Sequence, residues 1–319
     1  MAPAASSSAP ASPLGRLLVI ANPAAHSGDG AAAADHVERF LSAYRAATAG
    51  FEVRRTAAPG DATAMAASAA AEGFDTVAAL GGDGVIHEAA RGLMRLPASA
   101  RPQLAIIPMG SGNDYARTLG MARDDVDAAL AQLVRGRACA LDVGVVNGEP
   151  FVQTLSFGLD SAIALDTTDR RAADTRQTGE ALFVTSGIKI LARARRGWDV
   201  TARFDGGAPV RVRELVFAVQ VGPTYGGGFR ICPAADPADG LLDVCYNVRR
   251  PSIPAILALF ALARTGRHAG SRAVCLLTAR RVQLDFGSEP PVQVDGERLR
   301  GTSFDIHVEP AALRVIVPR

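Results

Sequence analysis

Lysine is almost absent from this chain. Of its 34 lysine and arginine residues, only Lys189 is a lysine. Arginine can bind phosphate in a bidentate fashion, but so uniform a replacement is better explained by high-GC codon usage. A large charge of either sign is also absent, since the formal net charge is only +2. This balance argues against nucleic acid as the main partner.

Cysteine and histidine are scarce and scattered. The four cysteines, Cys139, Cys232, Cys245 and Cys275, form no Cys-x-x-Cys pair. This spacing is typical of buried thiols in a reducing compartment, and it argues against a disulfide framework or a zinc site. The five histidines do not cluster at ligand spacings either. We therefore expect no structural metal held by histidine.

Long hydrophobic runs are missing as well. No stretch approaches the ~20 apolar residues that a membrane-spanning helix needs. Residues 1–13 are rich in Ala, Ser and Pro, which predicts a disordered tail. They lack the basic region and the continuous apolar region of a secretory signal. These features predict a cytoplasmic protein that binds at most peripherally to the inner face of the membrane.

Short apolar segments alternate with alanine-rich segments in the first part of the chain. Predicted strands cover residues 17–21, 51–56, 76–80 and 104–108, and predicted helices cover 31–47, 61–72, 85–96 and 125–135. This alternation is typical of βαβ units and a parallel sheet with both faces covered. We therefore predict an α/β domain over residues 14–140.

After about residue 140, strand-like segments follow one another with Gly, Pro and Asp turns between them. They cover residues 141–146, 151–156, 200–204, 212–221, 241–246, 273–278 and 281–286. This pattern predicts an antiparallel β domain over residues 141–309. Two helices are predicted within it, at 178–195 and 252–265. The last segment, ALRVIVPR, is again strand-like and can return to either domain.

Three glycine-containing turns follow strands of the first domain, at the edge where open parallel sheets bind ligands. The first turn contains Asn22, Pro23, Ser27 and Gly28, just before a helix. Glycine lets a backbone approach phosphate closely, and a helix N-terminus offers free N–H groups. An ordinary tight turn uses the same residues, so this turn alone does not decide between the two interpretations.

The second turn is denser in glycine. It consists of Gly81, Gly82, Asp83 and Gly84, and Glu88 lies in the helix that follows. One tight turn does not require three glycines in four positions. An aspartate here can hold Mg²⁺ or orient water at phosphates, or it can simply cap the helix. We favour the binding interpretation.

The third turn offers a hydroxyl, an amide and a carboxylate on a flexible backbone. Its residues are Pro108, Met109, Gly110, Ser111, Gly112, Asn113 and Asp114. A plain loop can contain these residues too. Three such turns in one βαβ array nevertheless indicate a phosphate-binding crevice.

Residues 81–84 together with 108–114 resemble the diacylglycerol kinase catalytic-domain family. That family is related to sphingosine kinases and, more distantly, to NAD kinases and phosphofructokinases. The resemblance covers nearly the whole chain from residue 17. Further matching segments are Asn22-Pro23, Thr56 with residues 60–62, the glycine run at 225–228, the acidic pattern at 233–243, and residues 294–297.

The resemblance implies a fold and an activity. The fold would be a phosphofructokinase-like or NAD kinase-like α/β domain with a parallel sheet, followed by an antiparallel β-sandwich domain. The chain end, at about residues 310–319, would return to the first domain. ATP would lie in the cleft between the domains. A lipid hydroxyl, that of diacylglycerol in the first instance, would accept the γ-phosphate, as in phospholipid biosynthesis.

The resemblance also implies roles for individual residues. Asp295 would be the general base, with Glu297 as its neighbour or substitute. Asp239 would hold a Mg²⁺ that links the domains, helped by Asp236 and the carbonyl of Leu241. Nucleotide contacts would come from Asn22, Pro23, Ser27, Gly28, Thr56, Gly81, Gly82, Asp83, Gly84, Glu88, Gly110, Ser111, Asn113 and Asp114.

Three residues depart from the family pattern. Val85 replaces a threonine after the second turn, Ser111 replaces a threonine in the third, and Asp29 stands where many relatives carry a cation. A carboxylate at that position would repel phosphate unless it turns outward. These departures leave two alternatives open, an NAD kinase-like enzyme and a nucleotide-binding pseudokinase.

The lipid acceptor is the least specified part of the prediction. Lys189, Arg193, Arg195 and Arg196 form a basic patch that suits an anionic bilayer,. A solvated helix end carries the same residues. The sequence also leaves a homodimer open.

Overall fold

Four parallel strands alternate with helices in the first half of the computed structural model, which describes residues 14–172, 197–249 and 251–319. The elements are β1 (Arg16–Ala21), α1 (Asp29–Ala43), β2 (Gly50–Arg55), α2 (Asp61–Ser68), β3 (Thr76–Gly81), α3 (Asp83–Met94), β4 (Gln103–Pro108), α4 (Asp114–Leu119) and α5 (Val126–Arg135). The strands are ordered β2-β1-β3-β4. Gly81 lies opposite Pro108 at the ends of β3 and β4, so the turns that follow these two strands share one edge.

Burial on both faces explains the unbroken apolar strands. Leu18 and Ile20 of β1 are fully buried, as are Ile86 and Leu93 of α3, and all four belong to one core. Central strands of a parallel sheet that helices cover have no solvent face, so alternation with polar residues is not expected.

The second half is mainly antiparallel. Its elements are β5 (Arg137–Val146), β6 (Glu149–Phe151), β7 (Thr154–Gly158), α6 (Leu159–Ala172), β8 (Trp198–Phe204), β9 (Val210–Glu214), β10 (Val216–Gln220), β11 (Leu242–Asn247), α7 (Ile253–Ala263), β12 (Val274–Ala279), β13 (Arg281–Phe286), β14 (Val292–Val294), β15 (Glu297–Leu299) and β16 (Ser303–Val317). One sheet has the order β12-β11-β10-β7-β14-β15, while β16, β13, β8 and β9 continue the first sheet.

Aromatic rings fill the core between these two sheets. The ring centroid of Phe157, on β7, lies 5.4 Å from that of Phe286 and 5.0 Å from that of Phe304. Phe217 of β10 packs edge-to-face against Phe157 as well. Contacts of this kind between the inner faces of two sheets are what hold a β-sandwich together.

The long strand β16 joins both halves. It pairs antiparallel with β13 and β5, and near its end Val315 pairs parallel with Leu104 of β4. The predicted fold class is confirmed: a parallel α/β half, an antiparallel β half, and a chain end that returns to the first. The predicted boundaries at 140 and 310 fall inside β5 and β16 and stay a prediction.

Two predicted strands are interrupted. Segment 151–156 breaks at Val152 and Gln153, whose N–H groups donate to the Asp295 carboxylate instead of to a strand. Segment 212–221 breaks at Leu215, where the N–H groups of Leu215 and Val216 donate to Asn247. There the chain passes from the first sheet to the second.

The helices were predicted less completely. Helices α4 and α6 were not anticipated, and the predicted helix at 178–195 and the basic patch beside it lie outside the described residues. In the part of the chain that the structure describes, no helix is both long enough and apolar enough to cross a membrane.

Candidate functional site

A cavity of about 550 Å³ opens between the two halves, beside the ends of β3 and β4. The first half contributes Gly82, Asp83, Gly84, Ser111 and Asp114 to its wall, and the second half contributes Gln153, Thr154, Tyr225, Asp295 and Glu297. Arg117 and Arg264 add positive charge to the wall. Crevices at the carboxyl ends of parallel strands are the usual ligand sites of such folds.

Glycine brings the second and third turns into backbone contact. A Cβ atom on Gly110 would lie 2.4 Å from the Cα atom of Gly82, so no larger residue fits there. Gly84 is different, because a Cβ atom there would meet nothing within 4 Å. Its missing side chain leaves open space beside the start of α3. No described side chain caps that helix, and N–H groups at a helix start suit an anion such as phosphate.

Two carboxylates, the buried Asp114 and the half-buried Asp83, line the cavity together. Asp114 accepts hydrogen bonds from the N–H groups of Gly227 and Gly228 at 2.7 and 2.8 Å, and Asp83 accepts one from the backbone N–H of Tyr115 at 3.3 Å. Burial raises the pKa of Asp83, and burial together with the charge of Asp83 raises the pKa of Asp114 to about 7. Perturbed carboxyl groups of this kind cluster at functional sites.

The Asp295 carboxylate is saturated by donors from the protein itself. One oxygen accepts from the N–H groups of Gln153 and Thr154, at 3.1 and 2.8 Å. The other accepts from Val152 N–H at 2.8 Å and lies 3.0 Å from Nδ1 of His87. A carboxylate offers about four acceptor positions, so these contacts leave none directed at a substrate.

Glu297 lies two residues further along the same hairpin, and it differs from Asp295 in exposure and in hydrogen bonding. It is exposed, it lines the cavity, and no described residue donates a hydrogen bond to its carboxylate. The turn between the two acids uses positive φ angles at Asp295 (46°) and Gly296 (95°). This conformation turns one carboxylate into the protein and leaves the other at the cavity wall.

His87 connects the first half to this hairpin, a link that the sequence alone does not indicate. It is buried on α3, with Nδ1 at Asp295 and Nε2 3.6 Å from Glu149, which is itself paired with Arg91. Burial alone would lower the pKa of His87, but the hydrogen bond to Asp295 and the contact with Glu149 outweigh it and raise the pKa to about 9. The sequence indicates only that His87 follows Asp83 by four residues, on the same helix face.

The charged His87 should make stability depend on pH. Its pKa is raised above the unfolded value of about 6.5, so its contribution is complete below pH 6.5 and is lost as the pH rises through about 9,. We expect His87→Asn, which keeps a donor but no charge, to be less stable than the wild type by on the order of 3 kcal/mol near pH 6. Urea unfolding at several pH values should show this difference shrinking towards pH 9.5. A constant difference would contradict the charged pair.

The remaining predicted nucleotide contacts do not line the cavity, and several of them bond to nearby backbone groups. The Asn22 side chain accepts from Ala24 N–H, the Thr56 hydroxyl donates weakly to a backbone carbonyl, and Glu88 accepts from Gly60 N–H. Asn113 donates to the Gly110 carbonyl from a left-handed conformation. Pro23, Gly28 and Gly81 are further predicted nucleotide contacts in the first and second turns. Ser27, also predicted, lies in the short 3₁₀ helix Ala25–Gly28. The cavity wall includes none of Asn22, Pro23, Gly28, Thr56, Gly81, Glu88, Gly110 and Asn113.

Two departures from the family pattern have a structural explanation. The Val85 side chain is buried against the second turn, where a Cβ atom on Gly81 would lie 2.7 Å from it. Asp29 is exposed and lies 3.0 Å from Nδ1 of His26. Asp29 lies at the start of α1, where a negative charge interacts favourably with the helix dipole and stabilises the helix,.

The predicted metal residues lie in one loop of the second half. Asp236 accepts from Ala238 N–H and Asp239 accepts from Leu241 N–H, each through one carboxylate oxygen. Burial, and then the charges of Asp239 and Asp236, raise the pKa of Asp243 to about 6. Among the described residues, no three His, Cys, Asp or Glu side chains are arranged to hold a metal. Mg²⁺ needs only one or two carboxylates besides carbonyl oxygens and water, so this loop fits Mg²⁺ better than a metal that needs a full protein cage.

Comparison with known proteins covers both halves of the chain. Residues 16–146 match the family model of the diacylglycerol kinase catalytic domain, and residues 153–317 match that of the YegS C-terminal NAD kinase beta sandwich-like domain. A diacylglycerol kinase of Bacillus subtilis (strain 168) is 28% identical over 262 residues, which are 82% of this chain and 84% of that protein.

A second relative and a solved structure agree. The Yersinia pestis (strain Pestoides F) protein named "Probable lipid kinase YegS-like" is 30% identical over 270 residues, which are 83% of this chain and 86% of that protein. A crystal structure of a diacylglycerol kinase from Bacillus anthracis has a TM-score of 0.75 at 24% identity, over 95% of this chain and 96% of that chain. This last similarity shows a shared fold.

Proposed function

The chain belongs to the diacylglycerol kinase catalytic-domain family, and we propose on this basis that it transfers the γ-phosphate of ATP to a lipid hydroxyl. The proposed acceptor is diacylglycerol, which gives phosphatidic acid. One observation carries the proposal: the glycine turn at the start of α3 lines the same cavity as the carboxylate of Glu297, to which no described residue donates a hydrogen bond. This arrangement supports the proposal, because a phosphate donor bound at the turn and a base at Glu297 would meet in one cavity.

The proposed roles follow from the contacts. The phosphates of ATP would lie at Gly82 and Gly84, against the N–H groups at the start of α3. Ser111 and the cation of Arg117 lie on the same wall. Phosphoryl transfer depends on positioning and on charge stabilisation more than on covalent catalysis. A wall of backbone donors and a cation fits that requirement.

Glu297 is the proposed general base. Its carboxylate would take the proton of the lipid hydroxyl while the hydroxyl oxygen forms its bond to the γ-phosphorus and the bond to the β-phosphate oxygen breaks, releasing ADP. The family resemblance implies Asp295 as the base, with Glu297 as its neighbour or substitute. The saturated hydrogen bonds of Asp295 favour a positioning role for it, because they hold the hairpin that presents Glu297.

Mg²⁺ is the proposed metal, and two groups of residues fit it. Asp83 and Asp114 crowd negative charge into the cavity, and Asp236 and Asp239 do so in the loop before β11, beside the Leu241 carbonyl. When bound, Mg²⁺ supplies positive charge that offsets the phosphates and these carboxylates. The geometry favours a cation at each place, because Asp83 and Asp114 line one cavity and Asp236 and Asp239 lie in one loop.

The metal loop can be tested without an activity assay. We expect MgCl₂ to raise the melting temperature of the wild type, because a ligand that binds only the folded state stabilises it. Asp239→Asn should lose a large part of this increase, while Asp199→Asn, an exposed site on β8, should keep it. Equal increases in all three proteins would contradict a metal site at Asp239.

A transfer assay tests the function itself. The wild type would be incubated with [γ-³²P]ATP, MgCl₂ and mixed micelles of a total lipid extract, with NAD offered in a parallel tube. We expect a labelled product that is soluble in chloroform and migrates as phosphatidic acid. Label on NAD instead would identify an NAD kinase-like enzyme. ATP binding without transfer to either acceptor would identify a pseudokinase.

A further inference from the structure

Helix α7 (Ile253–Ala263) exposes apolar side chains where a surface helix normally exposes polar ones. Residues 252–263, SIPAILALFALA, contain no charged side chain. Ile253, Leu257 and Leu262 are nevertheless 39%, 56% and 38% exposed. These three residues are called the α7 face below. A helix that is apolar all round is expected inside a protein or against lipid, not in water.

The sequence around the α7 face carries charge of only one sign. Between Asp243 and Asp285 there is no acidic residue, and the arginines that precede and follow α7 most closely in the sequence are Arg249, Arg250, Arg264 and Arg267. Arg249 and Arg267, which flank α7, are exposed. Apolar side chains bordered by exposed arginines are the pattern of segments that lie in the interface of an anionic bilayer.

The opposite side of α7 is firmly packed, so the exposed face is not simply a loose helix. Ile256 is buried in a cluster with Leu159, Ile163 and Leu215. The Ala263 carbonyl accepts a hydrogen bond of 2.8 Å from Arg230 N–H. The helix is therefore fixed to the second half, and its α7 face is presented in a defined direction.

The end of α7 reaches the functional cavity. The rings of Phe260, on α7, and Phe229 meet edge-to-face with centroids 6.5 Å apart. Phe229 and Arg264 both line the cavity, and the Arg264 guanidinium lies 5.5 Å from the centroid of the Phe229 ring. An amphiphile that enters from a surface on which α7 rests would thus meet an aromatic and a cation at the cavity wall.

We propose that the α7 face docks this protein onto an anionic lipid bilayer, with Ile253, Leu257 and Leu262 entering the interface and Arg249 and Arg267 facing the headgroups. This inference rests on the proposed function, because a lipid acceptor gives the docking its purpose. The charge pattern favours a bilayer over a second copy of the chain. In a symmetric dimer the same patch meets itself, and this would set arginine against arginine.

Binding to vesicles tests the docking directly. We expect the wild type to sediment with vesicles of phosphatidylcholine and phosphatidylglycerol and far less with phosphatidylcholine alone. Leu257→Gln should weaken binding to the anionic vesicles about tenfold, because it removes an exposed apolar side chain from the interface. Val210→Gln is the matched control, since Val210 is also an exposed aliphatic residue (39%) but lies on β9. If both variants lose vesicle binding to the same extent, or if neither loses it, the proposal is overturned.

Arg267→Gln separates the electrostatic part. We expect it to weaken binding to the anionic vesicles and to leave the weak binding to neutral vesicles unchanged. Gel filtration tests whether a second copy of the chain covers the α7 face instead. A wild-type dimer that Leu257→Gln converts to a monomer would overturn the proposal.

Two acceptors distinguish failure of the docking from failure of the proposed function. We expect Leu257→Gln to phosphorylate dissolved dioctanoylglycerol at the wild-type rate and vesicle-embedded long-chain diacylglycerol more slowly. Vesicle binding that depends on Leu257, without phosphorylation of either acceptor by the wild type, would contradict the kinase proposal and leave the docking intact. Phosphorylation of both acceptors with unchanged rates in the variant would overturn the docking and leave the kinase proposal intact.

Discussion

Glu297→Gln is expected to reduce the rate of phosphoryl transfer by about 10²–10⁴-fold, the range that general-base assistance usually contributes. The amide keeps the size of the side chain and removes the group that accepts the proton. Because Glu297 is exposed and bonded to no described residue, the fold should be unaffected. The measurement is kcat with ATP and a dissolved diacylglycerol, beside unfolding by urea.

The matched control is Glu289→Gln, another exposed glutamate of the second half that does not line the cavity. It should keep both the wild-type rate and the wild-type stability. A Glu297→Gln protein that retains most of its activity would contradict the assignment of the base. A variant that loses activity together with its stability would show a structural role instead.

Asp295→Asn is expected to lower the free energy of unfolding by about 3–5 kcal/mol, the usual cost of removing one partner of a buried ion pair. The change leaves the charge of His87 unpaired, and it directs an amide N–H₂ group towards donors that now lack an acceptor. Transfer activity should fall as well, because the hairpin that carries Glu297 loses its anchor. Urea unfolding at pH 7 and kcat measure the two effects.

The double variant His87→Asn/Asp295→Asn isolates the pair. Residues in contact give non-additive changes, so the double variant should be less destabilised than the sum of the single variants. Strict additivity would contradict the interaction. An Asp295→Asn protein with wild-type stability and no activity would contradict the positioning role and return Asp295 to the role of the base.

Most of the fold could be predicted from the sequence because its signals are local. Unbroken apolar segments such as residues 17–21, 76–80 and 104–108 are buried strands in the structure, where the covered sheet leaves no reason for alternation. The breaks at Val152 and Leu215 could not be predicted. Both result from side chains, Asp295 and Asn247, that are distant in the sequence and take the N–H groups of those segments.

The candidate site shows the same division. Its glycine turns are local features, and the structure brings Gly82, Asp83, Gly84 and Ser111 to one wall. The distinction between Asp295 and Glu297 is not local, since the two acids are separated by one glycine and have the same chemistry. Asp295 differs because it accepts hydrogen bonds from three backbone N–H groups about 140 residues earlier in the chain and contacts a histidine of the other half.

The most direct test is a side-by-side measurement of phosphatidic acid formation from [γ-³²P]ATP and diacylglycerol by the wild type and Glu297→Gln, with ATP binding measured in both. We expect the wild type to form the labelled product, and the variant to bind ATP equally well and form almost none. A wild type that binds ATP and forms no product, or a variant as fast as the wild type, would contradict a lipid kinase that uses Glu297 as its base.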